Sequence, residues 1–464
     1  MNFDFLKPKR GNTRLESALA EIEREDFVSR LLESDDAYIF KHVLIQETAY
    51  ASLLRNERRA LHLRIANSCE FLYADEIDEN LALLAFHFEQ AGETDQAVNY
   101  WMRYGERAMQ ISAYPEAIEA LRRALKLAPH ESNASSAQIY AQLGEIYSRQ
   151  TDFALSKENF QNALNCAIAA NDGVTAARAL TGIARVESQQ GNHKRARELG
   201  EEALRWANDA QDVKVIARAH RQLGIAYSYE GNYALGQEHL QTALALYREL
   251  GNLEGIGSCL NSLGVIARDL GELDCAEEYF SQALELGRQL GDRYSTSIRL
   301  LNLGALAEAR GELARAEQYQ KEALELAQQI GDREGIAVVR CNLGMLALRR
   351  RNLENAMTEF RGALDQASSI GAHATAVYVI AAVAKLELAR GNYEYAAELL
   401  EFVLAHPAVT ADIPIDFAPE QLALREKLGA SDLNAARERG RARELHFVVK
   451  QILAESKFSS AEND

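Results

Sequence analysis

The sequence predicts an all-α fold in which helix pairs stack into a solenoid, and three observations support this prediction. Only six prolines occur in the 464 residues, and none lies between Pro129 and Pro407. Such a run favours long helices, because proline breaks helical hydrogen bonding. A pair of residues typical of a loop between helices, the loop mark, recurs along the chain at a fixed step of 40 residues. Between two marks, apolar residues are spaced three and four apart, as on one face of a helix.

The loop mark is a Gly-Asn or Gly-Glu pair. It stands at 191, 231, 271, 311 and 391, and Arg351 with Asn352 fills the remaining slot. Ala-Leu pairs keep the same step at 203, 243, 283, 323 and 363, as do Leu-Gly pairs at 223, 263, 303 and 343. A second loop mark, Gly-Asp or Gly-Asn, falls at 251, 291 and 331. These interleaved sets indicate a repeat protein, whose units bury their apolar faces by stacking on neighbours.

Within one period the pattern describes two helices. The first apolar face comprises Leu260, Leu263, Ala267 and Leu270, and the second comprises Ala276, Phe280, Ala283, Leu284 and Gly287. Gly264 lies in the middle of the first helix, where glycine costs about 1 kcal/mol relative to alanine. Because glycine recurs at this position, we expect the two helices of each pair to cross closely there.

These residues resemble the tetratricopeptide repeat, through Leu223-Gly224, Tyr227, Gly231 to Tyr233 and Ala243-Leu244. The usual unit has about 34 residues, whereas this one has 40, which is similar to the long-repeat type. The resemblance covers residues 80–406 and implies a right-handed α-solenoid of about eight helix pairs. It also implies a concave groove, lined by the first helix of each pair, that binds other proteins.

The N-terminal flank has a different pattern. Thr13 and Glu16 form a capping box that opens a helix, and Tyr38 to Phe40 alternate as in a short strand. Residues 40–101 resemble the junction between ATPase and repeats in bacterial signal-transduction ATPases of the STAND class. Residues 13–79 are therefore expected to form a partial winged-helix-like adaptor and linking helix. The chain has no G-x-x-x-x-G-K-[ST] loop to hold nucleotide phosphates.

The remaining boundaries follow from composition. A proline-bearing stretch at 407–419 indicates a linker. Residues 420–456 are expected to form a C-terminal helical cap of one or two helices, since the last repeat of a solenoid needs a polar outer face. We expect residues 1–12 and 457–464 to be disordered tails.

The overall composition argues against several classes of protein. A net charge of −17 makes nucleic acid an unfavourable partner, because affinity for phosphate comes from lysine and arginine. Five cysteines form no CxxC pair and the histidines lack ligand spacing, so neither a metal nor a cofactor is expected. No apolar segment is long enough for a membrane span, and we expect a cytoplasmic protein without catalytic activity.

The resemblance places candidate binding residues six, three and two positions before each repeat glycine and one after it, with a few a turn further on. Arginine binds carboxylates bidentately, and asparagines on successive repeats suit the main chain of an extended peptide. A protein or peptide partner with acidic groups or a C-terminal carboxylate is therefore expected. The alternative is that the arginines pair with neighbouring glutamates on a solvated face. The candidates are Arg178, Arg185, Arg218, Arg221, Gln222, Asn261, Arg268, Asn302, Asn342, Met345 and Tyr378.

The leading functional hypothesis is a non-catalytic scaffold or sensor that binds a peptide or partner domain in the groove, in bacterial signalling. The alternative hypothesis is a regulatory subunit or remnant of a STAND-type transcription or cyclase regulator. That regulator would act with a separately encoded ATPase or effector chain. A hydrolase or nucleotide-dependent enzyme is disfavoured by the missing phosphate loop.

Overall fold

The computed structural model describes residues 13–30, 38–111, 113–128, 134–150, 152–409 and 413–454. The chain forms two compact units, Met1–Ile183 and Ala184–Asp464. Within the described ranges every element is helical except one pair of short strands. The all-α repeat fold predicted from the sequence is thus confirmed.

The N-terminal unit contains two antiparallel strands, in which Val28 pairs with Phe40, followed by a run of helices. The second strand is the one predicted at Tyr38 to Phe40. The elements are α1 (Thr13–Arg24), β1 (Val28–Arg30), β2 (Tyr38–Phe40), α2 (Val43–Ser52), α3 (Arg55–Leu72), a 3₁₀ helix (Ala74–Glu79), α4 (Leu81–Ala91), α5 (Thr94–Gln110), α6 (Tyr114–Leu127), α7 (Ala134–Arg149), α8 (Phe153–Ala169) and α9 (Gly173–Gln189), whose last residues belong to the second unit.

The C-terminal unit continues with helices alone among its described residues. They are α10 (His193–Asp209), α11 (Val213–Tyr229), α12 (Tyr233–Glu249), α13 (Leu253–Asp269), α14 (Leu273–Leu290), α15 (Arg293–Ala309), α16 (Leu313–Ile330), α17 (Arg333–Arg349), α18 (Leu353–Ser369), α19 (His373–Arg390), α20 (Tyr393–Ala405), α21 (Ile413–Asp416), α22 (Ala418–Lys427), α23 (Ala430–Arg441) and α24 (Leu445–Ala454).

The loop marks end one helix and start the next. Gly251 has φ = 63°, a left-handed conformation that glycine adopts without strain and that stops α12. Asn252 then accepts a hydrogen bond from the Gly255 amide at 2.9 Å, which caps the first turn of α13. Asp292 caps α15 in the same way through the Ser295 amide, at 3.1 Å. The pairs Gly251-Asn252 and Gly291-Asp292 therefore both end one helix and cap the next.

The mid-helix glycines lie where the two helices of a pair cross, as the sequence predicts. A methyl group on Gly264 would lie 2.6 Å from Cε1 of Phe280, a side chain with no exposed surface. A methyl on Gly144 would lie 2.8 Å from the Phe160 ring in the N-terminal unit. Such distances are below van der Waals contact, so a larger residue would push the helices apart.

Helices that follow each other in sequence pack together as pairs within each unit. These are α5/α6 and α7/α8 in the first unit and the five pairs from α11/α12 to α19/α20 in the second, and α3 packs against α4 ahead of them. The predicted boundary at residue 80 therefore falls between two helices in contact.

The described part of the predicted linker, 407–409 and 413–419, contains α21, in which Ile413 is buried, and Phe417, which is buried just after it. Beyond it the structure has three helices rather than the predicted one or two, because Leu428 and Gly429 adopt extended conformations between α22 and α23. Helix α23 packs against α20 and α24 against α18.

Candidate protein-interaction groove

The first helices of successive pairs share one open face in the C-terminal unit, and this face encloses a cavity of about 350 Å³. Its lining comes from Gln189, the last residue of α9, and from α11, α13 and α15, each the first helix of its pair. The lining residues are Gln189, Arg221, Ile225, Ser228, Tyr229, Ser258, Asn261, Ser262, Val265, Ser295, Ile298 and Arg299.

Helix α13 supplies the central strip of this lining. Its cavity residues are spaced three, one and three apart, so they form one helical face: Ser258, Asn261, Ser262 and Val265. Leu260 and Leu263, on the opposite side, are 2% exposed and belong to the core. Because the apolar residues of α13 pack on its partner helices, its hydroxyl and amide groups face the cavity.

Arg221 joins this cavity from α11. Its guanidinium acts electrostatically on Tyr247, a buried residue of α12. Burial raises the pKa of the Tyr247 hydroxyl, so this group stays neutral. Among the described residues Arg221 forms no ion pair, which leaves its positive charge without a bonded carboxylate.

Arg299 lines the cavity from α15 and is 3% exposed. Its Nη1 has no hydrogen-bond partner among the described residues. A methyl on Gly257 would lie 2.7 Å from Nη2, and one on Gly287 would collide with Nη1. Burial lowers the pKa of the Arg299 guanidinium, although arginine remains charged at neutral pH. Sequence reasoning did not select this residue.

Two of the three asparagines predicted to face the groove contact each other. Asn302 donates from Nδ2 to Oδ1 of Asn261 at 2.8 Å, across α13 and α15. This bond leaves the Asn261 amide group and the Asn302 carbonyl available to a ligand. Asn342 is half-buried at the same position of α17.

The cavity brings together two of the predicted residues, Arg221 and Asn261. Gln222 is 3% exposed and donates to Ser188 at 3.3 Å, so its amide is engaged between helices. Arg268 forms an ion pair with Asp269, its neighbour in sequence, at 2.8 Å.

The other predicted residues lie elsewhere. Met345 and Tyr378 are half-buried against the apolar core at the C-terminal end, and the Tyr378 ring meets Phe417 edge-on. Arg185 and Arg218 are half-buried in the second unit, and Arg178 is half-buried in the first. Their role in binding stays a prediction.

Within the described ranges, no group of three or more histidine, cysteine or acidic side chains is arranged to hold a metal ion. None of the helices in these ranges combines the length and apolar character needed to cross a bilayer.

Comparisons with known proteins agree with this architecture. The sequence profile described as "Tetratricopeptide repeat" matches residues 135–209, 215–289, 259–329 and 294–367. A protein of unknown role from Rhizobium meliloti is 31% identical over 134 residues, which is 29% of this chain and 13% of that protein. The chain thus spans a small part of this curated relative.

Among solved structures, a signal transduction ATPase with numerous domains (STAND) from Pyrococcus horikoshii, with a tetratricopeptide repeat sensor, aligns with a TM-score of 0.56. The alignment has 13% identity and covers 93% of this chain and 61% of that one, so it shows a shared fold. A Rap protein complexed with competence and sporulation factor aligns with a TM-score of 0.49 and 13% identity, over 73% of this chain and 99% of that one.

Proposed function

The chain belongs to the tetratricopeptide-repeat family and is a protein-interaction scaffold, and from this premise we propose that it binds an extended peptide segment of a partner protein. The segment lies on the face formed by α11, α13 and α15. The observation that carries this proposal is the cavity of about 350 Å³ on that face. The protein's own side chains leave it open, and hydrogen-bonding groups from successive repeats line it.

The chemistry of the lining suits a peptide main chain and acidic groups. Ser258, Ser262 and Asn261 place short polar side chains along α13, and each can donate or accept a hydrogen bond. Arg221 adds a positive charge with no ion pair among the described residues. In an acidic protein, this local charge favours a segment that carries carboxylates.

The test is a peptide array of mixed dodecapeptides, acetylated and amidated at their ends, probed with the fluorescently labelled full chain. Replacing Arg221 and Asn261 together by alanine should weaken binding by roughly tenfold or more, since each loses a hydrogen bond to the ligand. The control variant replaces Gln241 and Arg248 by alanine, because both are exposed on α12. Equal binding by all three proteins would contradict the proposal, as would equal loss in both variants.

A second function is favoured by the surface of the N-terminal unit. Helix α2 buries none of its residues, and Val43 and Leu44 in its first turn are 65% and 70% exposed. Leu54, just before α3, is 70% exposed as well. Exposed apolar groups in one segment are typical of a protein interface. We propose that this segment docks on a separately encoded ATPase or effector chain, in line with the fold shared with the STAND protein.

This second proposal predicts that a STAND-type ATPase or a cyclase is encoded beside this chain's gene. That protein, purified and mixed with the full chain, should co-elute with it in size-exclusion chromatography. Replacing Val43 and Leu44 by aspartate should abolish co-elution, because each new charge would be buried in the interface. A Glu47→Gln variant on the same helix should still co-elute. Separate elution of the two wild-type proteins would contradict the proposal.

A further inference from the structure

We propose that Arg299, together with Arg221, forms an anion site that takes one side-chain carboxylate of the bound peptide. This inference rests on the proposed groove function and names the chemistry that the groove selects. Arg299 is a buried cation at the wall of an open cavity.

Arg299 differs from the residues at the equivalent position of the other repeats. The five residues at multiples of 40 positions from it are small or apolar, and each is 0% exposed. They are Ala179, Ala219, Cys259, Val339 and Val379. The fold therefore fills this position with an apolar side chain in the other repeats. An arginine there is not required by the repeat architecture.

Two glycines make the room that Arg299 occupies. Gly257 and Gly287 are the residues whose added methyl groups would collide with its guanidinium. The equivalents of Gly257 are Ala177, Ala217, Ser297, Ala337 and Val377, and those of Gly287 are Ala167, Ala207, Tyr247, Ala327 and Ala367. Among the repeats compared, glycine therefore occupies these two positions only where they lie next to Arg299. Three departures from the repeat pattern together make room for the guanidinium of a residue that lines the cavity.

The charge of this guanidinium is not neutralised by a bonded partner within the described residues. Asp292 and Glu254 are the acidic groups that act on it electrostatically, but neither forms an ion pair with it. Asp292 also accepts the Ser295 amide as the cap of α15. A buried charge without a hydrogen-bonded counter-ion is costly. A carboxylate entering the cavity would supply that counter-ion.

The surroundings favour a carboxylate in the middle of a peptide over one at its end. Residues of four successive first helices line the cavity, so a chain can continue along this face in both directions. The Asn261–Asn302 pair lies on this same face and offers free amide and carbonyl groups to a continuing main chain. A glutamate or aspartate side chain can reach the arginines while the main chain runs on.

The experiment uses the full chain and blocked octapeptides, acetylated and amidated, with mixed sequences around one fixed central residue. Peptides with central glutamate should bind about tenfold or more tightly than those with glutamine, because an arginine–carboxylate contact is charge-assisted. A third set has central glutamine and a free C-terminal carboxylate. The Arg299→Val variant restores the residue found at 339 and 379, and should reduce the preference for glutamate to less than threefold.

The stability of Arg299→Val separates a binding role from a structural one. Replacing an unpaired buried charge by a residue that the repeat accommodates should leave the melting temperature equal or higher. A large fall would show that Arg299 supports the fold and would overturn the inference. Arg248→Ala, on the exposed side of α12, should retain the preference for glutamate.

The remaining outcomes distinguish the two proposals. Peptide binding without a preference for glutamate, or with a preference that survives in Arg299→Val, contradicts the anion site and leaves the groove intact. If the protein binds only the peptides with a free C-terminal carboxylate, the result contradicts the proposal that the site takes a side-chain carboxylate. No binding of any peptide by the wild-type chain contradicts the groove function and this inference together.

Discussion

Asn302 and Asn261 join two neighbouring repeats by a hydrogen bond of 2.8 Å between their side chains. Replacing either by alanine, and then both, should reveal a coupling free energy of about 1 kcal/mol, because one half-buried hydrogen bond is lost. Urea unfolding followed by circular dichroism measures it.

These two single variants and the double variant form a double-mutant cycle, and the next repeat supplies its matched control. Asn342 occupies the equivalent position on α17 but forms no hydrogen bond with Asn302 among those described. A cycle of Asn302→Ala and Asn342→Ala should therefore give a coupling close to zero. Similar couplings in the two cycles would show that the side-chain bond contributes nothing specific to stability.

Gly264 sets the distance between α13 and α14 at their crossing. The Gly264→Leu variant should lose more than about 1 kcal/mol of unfolding free energy, because its side chain would overlap the Phe280 ring. Glu285→Leu, on the exposed side of α14, adds the same residue without a clash. An unchanged melting temperature for Gly264→Leu would contradict the packing argument.

The fold could be predicted because its determinants are local and repeat along the chain. Gly264 and the loop glycines each have a steric reason that applies in most units, so periodicity alone reveals them. Arg221 and Asn261 were found for a related reason, since their positions relative to the repeat glycine place them on the open helix face.

Arg299 was missed because it lies beside the predicted lining positions, on a flank that packs between helices. Whether such a flank reaches a cavity depends on how three helices meet. The spacing of residues in the sequence does not show this. The signal that would have found it is the coincidence of Gly257, Gly287 and an arginine where the other repeats have apolar residues. Gln222 is the opposite case. It was predicted to face the groove, but its side chain donates a hydrogen bond to Ser188.

Gln211 occupies a loop position where the later repeats have glycine. Its φ is 55°, in the left-handed region that side chains disfavour. Gln211→Gly should therefore raise the unfolding free energy by about 1 kcal/mol, measured by urea denaturation. Ala210→Gly serves as control, since Ala210 has φ = −75° and glycine there should destabilise the protein. Destabilisation in both variants would contradict the strain argument.

His62 and His87 face each other in the N-terminal unit, with their Nδ1 atoms 2.8 Å apart. Burial, and then the neighbouring His62, lower the pKa of His87 to about 4, and burial lowers that of His62. In the unfolded chain both titrate near their ordinary value of about 6.5. The unfolded state therefore binds more protons between about pH 6.5 and 4, so stability falls as the pH decreases through this window.

For His87 alone this shift corresponds to roughly 3 kcal/mol at the acid end of the window. The His87→Leu variant should lose at least half of the pH dependence, because its side chain has no proton to gain. Unfolding is followed by Trp101 fluorescence in a Trp206→Phe background, so that the signal reports the N-terminal unit. His446→Gln, at an exposed site, should leave the profile unchanged. A wild-type stability that stays constant from pH 7 to 4.5 would show that this pair does not oppose protonation.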